Sequence, residues 1–535
     1  MEHAVSPKKK RNDAGLIVGV VTLGIIAVLV AFVVIPQPGD PPQPDTLPYW
    51  PTEGWQTRPP EAQGIDSSRL AEAMLSWQEQ GIPIHSLMLI RNGYVVADST
   101  FYPYDGQSAH DVASVTKSVM SILIGIAVDQ GKLSLDDTMV SFFPNRPIAN
   151  LDARKEAITV RHLVGMTSGL ECLIDGQENN TVIAMFASPD FAQFVLDRPM
   201  AAEPGSEFFY CNSAFHLLSP ILQQATGMTA LEFAQQNLFE PLGIEDTPWP
   251  TDPQGHNIGF GAISLHPQDM ARLGLLFLQK GQWEGEPIVS RAWVEESTKA
   301  QINAPDQAPN PYGYGWWADA DMEGVYFAGG RLGQYILVYP QWDMILVTTG
   351  GGFEIEQIEE SLLSIYNEME DQLPANPDGV ARLETAIAAV TQPPAAQPIP
   401  PLPDMARTIS GRTYFFGPNP LGLASLAFEF DDAAAPTAGV PTARLGPAVD
   451  PSQPLPISIG LDGTYHFTTL LGDGRPVGIR GHWDGPQTFV LDYIGAASNE
   501  HTEFQLFFQG DEVEVTIHDK VNGTSRQFGG SLQEP

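Results

Sequence analysis

The sequence predicts an α/β (α+β) domain, in which helices flank an antiparallel sheet and a helical insertion interrupts it. An all-β domain follows, and one transmembrane helix precedes. Strand-like runs occur at both ends of residues 61–372, whose middle has helical periodicity. Proline-rich segments at 36–60 and 373–408 bracket that region. An uncharged apolar run occupies residues 15–35. Together these observations predict the order of the domains.

The N-terminal segment reads as a basic tail at 1–14, a membrane-spanning run at 15–35 and an extended tether at 36–60. At about 1.5 Å per residue, the 21 residues of the run cross the roughly 30 Å core of a bilayer. The basic cluster Lys8–Arg11 is expected to stay in the cytoplasm, which places the rest of a single-pass protein on the extracytoplasmic side of the cell membrane. A cleaved signal peptide is the alternative, but its apolar region would be about 7–15 residues, and no Ala-x-Ala site follows.

Composition and charge exclude several classes of function. The chain has 64 acidic and 27 basic residues and a formal net charge of −37, so its surface repels phosphate backbones and no nucleic-acid partner is expected. Two cysteines and eleven scattered histidines, without a His-Glu-x-x-His motif, predict neither a metal site nor a cofactor.

The elements of residues 61–372 follow from local patterns. Asp66 is expected to cap a helix that runs through LAEAMLSWQEQ and ends at Gly81. Two strand-like runs then flank Asn92-Gly93, a dipeptide typical of β-hairpins. A buried helix follows, and residues 158–300 are mostly helical. Gln334–Tyr339 and Met344–Thr349 are predicted as strands, so one sheet would be made from both ends of the domain.

The C-terminal part changes in character. Residues 373–408 include VTQPPAAQPIPPLPD and are predicted to form a linker. Residues 409–535 contain eight short β-type runs separated by turns, which predict a small β sandwich or barrel. We find no catalytic constellation in this segment.

The helix with the sequence SVTKSVMSILIGIAVDQG carries a candidate nucleophile and base. Apolar side chains recur at helical spacing after Ser114, and Lys117 lies one turn further on, so both share one helix face. A serine hydroxyl needs a base to take its proton, and a lysine in a dry pocket can lose its charge and serve as that base. The alternative is that Ser114 only caps the helix and Lys117 extends to the surface.

Tyr210-Cys211-Asn212 is a second candidate element. A tyrosine and an asparagine two apart, on a loop that leads into a helix, can point both side chains into one cleft. The tyrosine oxygen could relay the serine proton, and the asparagine could hold the lysine and a substrate amide. The alternative is that Tyr210 is a packing residue.

Ser-x-x-Lys followed by Tyr-x-Asn resembles the signature order of the serine β-lactamase and penicillin-binding-protein superfamily. The similarity covers residues 55–370 and is closest to the branch of class C β-lactamases, family VIII esterases and 6-aminohexanoate-dimer hydrolases. It rests on stretches such as IRNGYVVAD, ITVRHLVGMTSGLE, PGSEFFYCN, NPYGYGWW and FAGGRLGQYILVYPQWDMILV. The resemblance implies the β-lactamase-like/DD-peptidase fold.

The resemblance also implies roles for four residues. Ser114 would be the acylated nucleophile and Lys117 its activating neighbour. Tyr210 would be the general base or proton relay, and Asn212 a positioning group.

A third motif of that family, Lys or His followed by Thr or Ser and then Gly, corresponds here to Ala328-Gly329-Gly330. The cation is missing, which favours neutral esters or amides over β-lactams or peptide carboxylates. The resemblance further implies an oxyanion hole formed by the Ser114 amide and an amide near Gly330 or Arg331.

Several further residues have two interpretations. Cys172 and Cys211 would form a disulfide in an exported protein, closing a loop of about 40 residues, or would remain free thiols. His110 is expected to be structural rather than catalytic. Trp316 and Trp317 line the substrate cleft or pack in the core.

The sequence thus predicts a membrane-anchored serine hydrolase that cleaves ester or amide bonds through a Ser114 acyl-enzyme, with Lys117 and Tyr210 as base. Its expected partners are a small-molecule ester or amide and, through the N-terminal helix, the membrane. A β-lactamase or D,D-carboxypeptidase is the first alternative. The missing cation and the additional β domain motivate a second, a non-catalytic, penicillin-binding-like protein of the cell envelope.

Overall fold

The computed structural model describes residues 49–172, 181–303, 309–430, 442–447, 455–469 and 476–532. The predicted basic tail, the transmembrane run at 15–35 and most of the tether lie outside the described residues. Among the residues that are described, none of the helices combines the length and apolar character needed to cross a bilayer.

The first domain contains fourteen α-helices and ten strands in its described part. Short 3-10 turns also occur at Pro60–Gln63, Met139–Phe142 and Pro340–Trp342. In chain order the helices are α1 Ser67–Glu79, α2 Val115–Asp129, α3 Ala153–Glu156, α4 Val160–Val164, α5 Thr181–Phe186, α6 Phe191–Leu196, α7 Asn212–His216, α8 Leu218–Thr226, α9 Ala230–Ala234, α10 Glu240–Leu242, α11 Pro267–Leu278, α12 Arg291–Ser297, α13 Glu356–Tyr366 and α14 Pro377–Thr391. The strands are β1 Ile84–Arg91, β2 Tyr94–Thr100, β3 His110–Asp111, β4 Ser264–Leu265, β5 Gln282–Trp283, β6 Glu286–Pro287, β7 Trp317–Ala318, β8 Tyr326–Gly330, β9 Gln334–Tyr339 and β10 Met344–Gly350.

An antiparallel sheet of six strands, in the order β2-β1-β10-β9-β8-β7, forms the centre of this domain. Met88 of β1 lies opposite Val347 of β10, so strands from the two ends of the domain are neighbours. The β1–β2 hairpin turns at Asn92 and Gly93, whose φ angles of 51° and 79° are both positive, as a type I′ turn requires. The predicted sheet made from both ends is confirmed.

Helices cover both faces of the sheet. Helix α1, capped by the Asp66 carboxylate as predicted, packs with α13 and α14 on one face. Helices α2 and α11 pack on the other face, where they meet the helical insertion. Residues 115–127 of α2 are all buried, and Gly125 leaves room for the ring of Trp293, which an added Cβ would approach to 2.6 Å. Helix α2 is therefore enclosed nearly all round.

Part of the segment that was expected to be a linker differs from that expectation. Within 373–408, residues 377–391 form helix α14, which packs against α1 and β2 and buries Leu383, Ala386 and Val390. Asn376 caps it by accepting a hydrogen bond from the Gly379 amide. The sequence between the flanking prolines has a regular apolar stripe, and this stripe packs into the core of the first domain. The first domain therefore extends beyond residue 372.

The C-terminal domain is a single antiparallel sheet of ten described strands, and not a sandwich. The sheet curls into a half-barrel, and an isolated bridge between Gly460 and Arg480 joins the chain after one edge strand to a strand near the opposite edge. A short helix precedes the sheet. These elements are α15 Asp404–Ile409, β11 Thr413–Phe416, β12 Leu423–Glu429, β13 Thr442–Pro447, β14 Leu455–Ser458, β15 His466–Thr469, β16 Pro476–Asp484, β17 Thr488–Gly495, β18 His501–Gln509, β19 Glu512–Asp519 and β20 Thr524–Ser531.

Candidate active site

Ser114 lies at the sharp turn between β3 and α2. The preceding residue, Ala113, has a φ of 47°, a left-handed conformation that costs energy for a residue with a side chain. Its amide donates to the Asp111 carboxylate at 2.8 Å, and its carbonyl accepts from the Thr116 hydroxyl at 2.6 Å. The Ser114 side chain makes no capping hydrogen bond to the helix. The Ser114 hydroxyl therefore does not serve as a helix cap and is left for another role.

Lys117 is buried beneath this hydroxyl. Its side chain is 2% exposed, which rules out the alternative that it extends to the surface. Its Nζ donates to Ser114 Oγ at 2.8 Å and to the Phe260 carbonyl at 2.8 Å. The same nitrogen lies 4.7 Å from the ring centroid of Tyr210 and 5.6 Å from that of Phe260. The structure thus brings the predicted serine, lysine and tyrosine together in a site shielded from water.

Tyr210 is held by aromatic neighbours. Its ring stacks on Trp317 with the centroids 6.0 Å apart and an interplanar angle of 16°, and Tyr312 meets it edge-on. Burial raises the pKa of Tyr312 well above its ordinary value, so that phenol stays neutral. Trp316 is instead fully buried and stacks on Phe277 at 4.2 Å. Of the two tryptophans, one packs in the core and one lies beside the candidate base.

Asn212 is the first residue of α7, two positions after the candidate base. Its Oδ1 atom is buried and has no hydrogen-bond partner in the described part of the chain. The structure joins its neighbour Cys211 to Cys172 in a disulfide, and the Phe209 amide donates to the Met166 carbonyl at 2.9 Å. The disulfide and this hydrogen bond hold the loop that carries Tyr210 and Asn212.

The end of β8 lies against the amide of the candidate nucleophile. A Cβ added to Gly330 would stand 3.2 Å from Ser114 N and 2.5 Å from the Val112 carbonyl oxygen, so only glycine fits. As the residue before a helix, Ser114 has an amide that the helix leaves without an acceptor. Arg331 is exposed, and its Nη1 lies 3.5 Å from Asn522 Oδ1 of the C-terminal domain. The end of β8 is thus in close contact with the turn that carries Ser114.

A buried pair that the sequence did not identify braces the carbonyl that holds Lys117. The Gly259 amide donates to His216 Nδ1 at 3.2 Å, so the ring proton lies on Nε2, which donates to Asp252 Oδ2 at 3.1 Å. Gly259 directly precedes Phe260, whose carbonyl accepts from Lys117. Burial alone would raise the pKa of Asp252, but hydrogen bonds from His216 and the His256 amide hold it below its ordinary value. The sequence offers no signal that joins His216 to Asp252.

His110 and Asp111 support the turn. The Nδ1–H of His110 donates to the Asp111 carbonyl at 2.8 Å, and His85 lies 2.9 Å from its Nε2 atom. Burial, followed by the proximity of His110, lowers the pKa of His85 well below its ordinary value. Asp111 accepts the Ala113 amide, so these contacts hold the strained residue before Ser114.

Several known proteins resemble this chain in sequence and in fold. A family model described as Beta-lactamase matches residues 68–350, more than half of the chain. Protein flp of Staphylococcus aureus strain MW2 is 22% identical over 301 residues, covering 49% of this chain and 58% of that protein. The 6-aminohexanoate-dimer hydrolase of Paenarthrobacter ureafaciens is 21% identical over 280 residues, covering 49% of this chain and 71% of that enzyme.

One solved structure extends the comparison to three dimensions. A Bacillus anthracis protein, provisionally assigned as a 6-aminohexanoate-dimer hydrolase, has a TM-score of 0.50 and 18% identity, covering 59% of this chain and 86% of its own. At this identity the likeness shows the fold. The chain spans 58% of the length of the flp protein that it matches.

Proposed function

This chain belongs to the β-lactamase family, and from that premise we propose that it is a serine hydrolase that cleaves ester or amide bonds through an acyl-enzyme on Ser114. The match over 68–350 confirms the resemblance to the serine β-lactamase and penicillin-binding-protein superfamily that the motifs indicate. One observation carries the proposal: the buried Lys117 Nζ lies 2.8 Å from Ser114 Oγ.

In the proposed reaction, the Ser114 oxygen attacks the substrate carbonyl, and its proton passes to an uncharged Lys117, with Tyr210 as relay. The negative charge on the carbonyl oxygen is stabilised by the Ser114 amide and an amide near Gly330 or Arg331. The C–O or C–N bond then breaks, and the leaving alcohol or amine receives the proton. Water attacks the acyl-enzyme in the same way, releases the carboxylic acid and restores the Ser114 hydroxyl.

Neutral esters and amides are the proposed substrates. Ala328 is fully buried at the position where the family pattern has a cation, and the Arg331 side chain lies near Asn522 of the C-terminal domain. β-Lactams and cell-wall peptides, which carry a carboxylate, therefore rank below neutral substrates.

We propose in addition that the chain is anchored in the cell membrane and that the hydrolase faces the extracytoplasmic side. The uncharged run at 15–35 and the preceding basic cluster support this location. The disulfide between Cys172 and Cys211 agrees with it, because disulfides persist in oxidising compartments.

Active-site labelling tests the proposed function. A fluorophosphonate probe is expected to label the wild-type protein and the control Ser141→Ala, in which an exposed serine is removed, but not Ser114→Ala. Turnover of p-nitrophenyl acetate, a linear amide and nitrocefin then ranks the substrates, and the ester is expected to react fastest. Equal labelling of Ser114→Ala, or no labelling of the wild type, would support a non-catalytic binding protein instead.

A further inference from the structure

The curled sheet of the C-terminal domain encloses a cavity of about 640 Å³. Inward-facing apolar side chains from several strands line it, including Leu423, Ile479, Leu491, Leu506 and Ile517. Protein interiors normally contain few voids larger than one water molecule, so a space of this size is not ordinary core packing. Its volume lies in the range of about 300–1,000 Å³ that small-molecule sites occupy. The volume and the mainly apolar lining of the cavity suit an apolar ligand.

The lining of this cavity reaches the first domain next to the turn that carries Ser114. Arg331 of the first domain lines the cavity, and the residue before it, Gly330, lies against the Ser114 amide. The Asp111 amide donates to the Ala497 carbonyl at 2.9 Å, which joins the turn before the nucleophile to the loop after β17. The C-terminal domain thus contacts the first domain at Asp111 and at Arg331.

Polar residues also line the cavity. Asn522 Nδ2 donates to Asp519 Oδ2 at 2.7 Å, and Arg331 approaches the other end of the same amide. His501 and Arg526 also lie among the lining residues. A lining with both apolar and polar residues suits a ligand that joins a hydrocarbon chain to a polar group.

We propose that this cavity binds the aliphatic chain of the substrate, so that the preferred substrates are esters or amides with a long acyl chain. This inference rests on the proposed hydrolase function, because the chain must be attached to the carbonyl that Ser114 attacks. It assigns the C-terminal domain a direct role in substrate selection.

A chain-length series with the full chain tests this inference. For p-nitrophenyl acetate, butyrate, octanoate and laurate, kcat/KM is expected to rise by about fourfold for each methylene that enters the cavity. Leu506→Trp, which fills the cavity from β18, and Leu423→Trp, which fills it from β12, are expected to lower kcat/KM for laurate by about tenfold or more and to leave that for acetate within about twofold. The matched control is Phe507→Trp, on the outer face of β18, where the side chain is 39% exposed.

Binding without turnover separates this inference from the proposed function. The Ser114→Ala protein is expected to bind cis-parinaric acid, a fluorescent long-chain fatty acid, and Leu423→Trp in that background is expected to weaken binding. Acetate hydrolysis with neither a chain-length dependence nor probe binding would overturn the inference and leave the hydrolase intact. Probe binding without hydrolysis of any ester would overturn the proposed function, and the substrate role of the cavity with it.

Discussion

The cleft at Ser114 and the cavity of the C-terminal domain differ in what surrounds their centres. In the cleft, the Lys117 amine is enclosed by Ser114 Oγ, the Phe260 carbonyl and aromatic rings. In the C-terminal domain, apolar walls enclose about 640 Å³ of space. In the cleft, close packing holds Ser114 and Lys117 within hydrogen-bonding distance. In the cavity, open apolar space favours a ligand whose hydrocarbon chain is long enough to fill it. Under the proposed function, the first domain cleaves the bond and the C-terminal domain selects the substrate by the length of its acyl chain.

The strongest test of this separation removes the candidate base. Lys117→Met keeps the length and apolar stem of the side chain but has no amine, so kcat/KM for p-nitrophenyl esters is expected to fall by about 10³–10⁴-fold. Binding of cis-parinaric acid is expected to be unchanged, because the cavity is formed by other residues. A parallel loss of probe binding would show that the two regions are not separable.

The boundary between the two regions can be tested at the end of β8. In Gly330→Ala the new Cβ would clash with the Val112 carbonyl and crowd the Ser114 amide, so kcat is expected to fall by about 10²–10³-fold. Gly329→Ala is the matched control, because its Cβ would meet only the Phe327 ring, at 3.3 Å, and the Trp317 side chain. Equal activity of both variants would contradict an oxyanion hole at Gly330.

Reduction of the disulfide is expected to affect the first domain alone. The bond between Cys172 and Cys211 closes a loop of about 40 residues, which stabilises the folded domain by roughly 3–4 kcal/mol in the chain-entropy model. Trp483 is the one tryptophan in residues 409–535, so the fluorescence difference between the wild type and Trp483→Phe follows the C-terminal domain separately. A shift of that difference signal on reduction would indicate that the two domains unfold together.

Acid is expected to weaken the C-terminal domain through Asp492. Burial alone would raise its pKa, but hydrogen bonds from His501, Tyr465 and Arg480 hold it well below its ordinary value. A carboxylate with a lowered folded-state pKa stabilises the fold above its unfolded pKa of about 3.9, and that contribution is lost as the pH falls below this value.

Hydrogen exchange between pH 5 and pH 3 measures this effect in β16–β18. The wild type is expected to lose protection more steeply than Asp492→Asn. The exposed Asp484 lies at the end of the same strand pair, and Asp484→Asn is expected to behave as the wild type does. Identical slopes for the two asparagine variants would mean that Asp492 contributes no pH-dependent stability.

Patterns in the sequence are sufficient to predict the elements whose cause is local. Ser114 and Lys117 meet because residues three apart share a helix face, and Asn92-Gly93 forms the hairpin because its two residues accept positive φ. The strands at the two ends of the first domain are also visible as short β-type patterns. These features depend on neighbours within one turn or one hairpin, which a sequence displays directly.

The features that join distant segments could be identified only in the three-dimensional structure. Each of these features needs a particular register and curvature. They are the support of Phe260 by His216 and Asp252, the approach of Gly330 to the Ser114 amide, and the position of Arg331 in the lining of the cavity. Periodicity tells which face of an element is apolar, but it does not name the element that covers that face. For the same reason the sequence predicts a linker where α14 lies, and it does not show which of Trp316 and Trp317 lies at the candidate site.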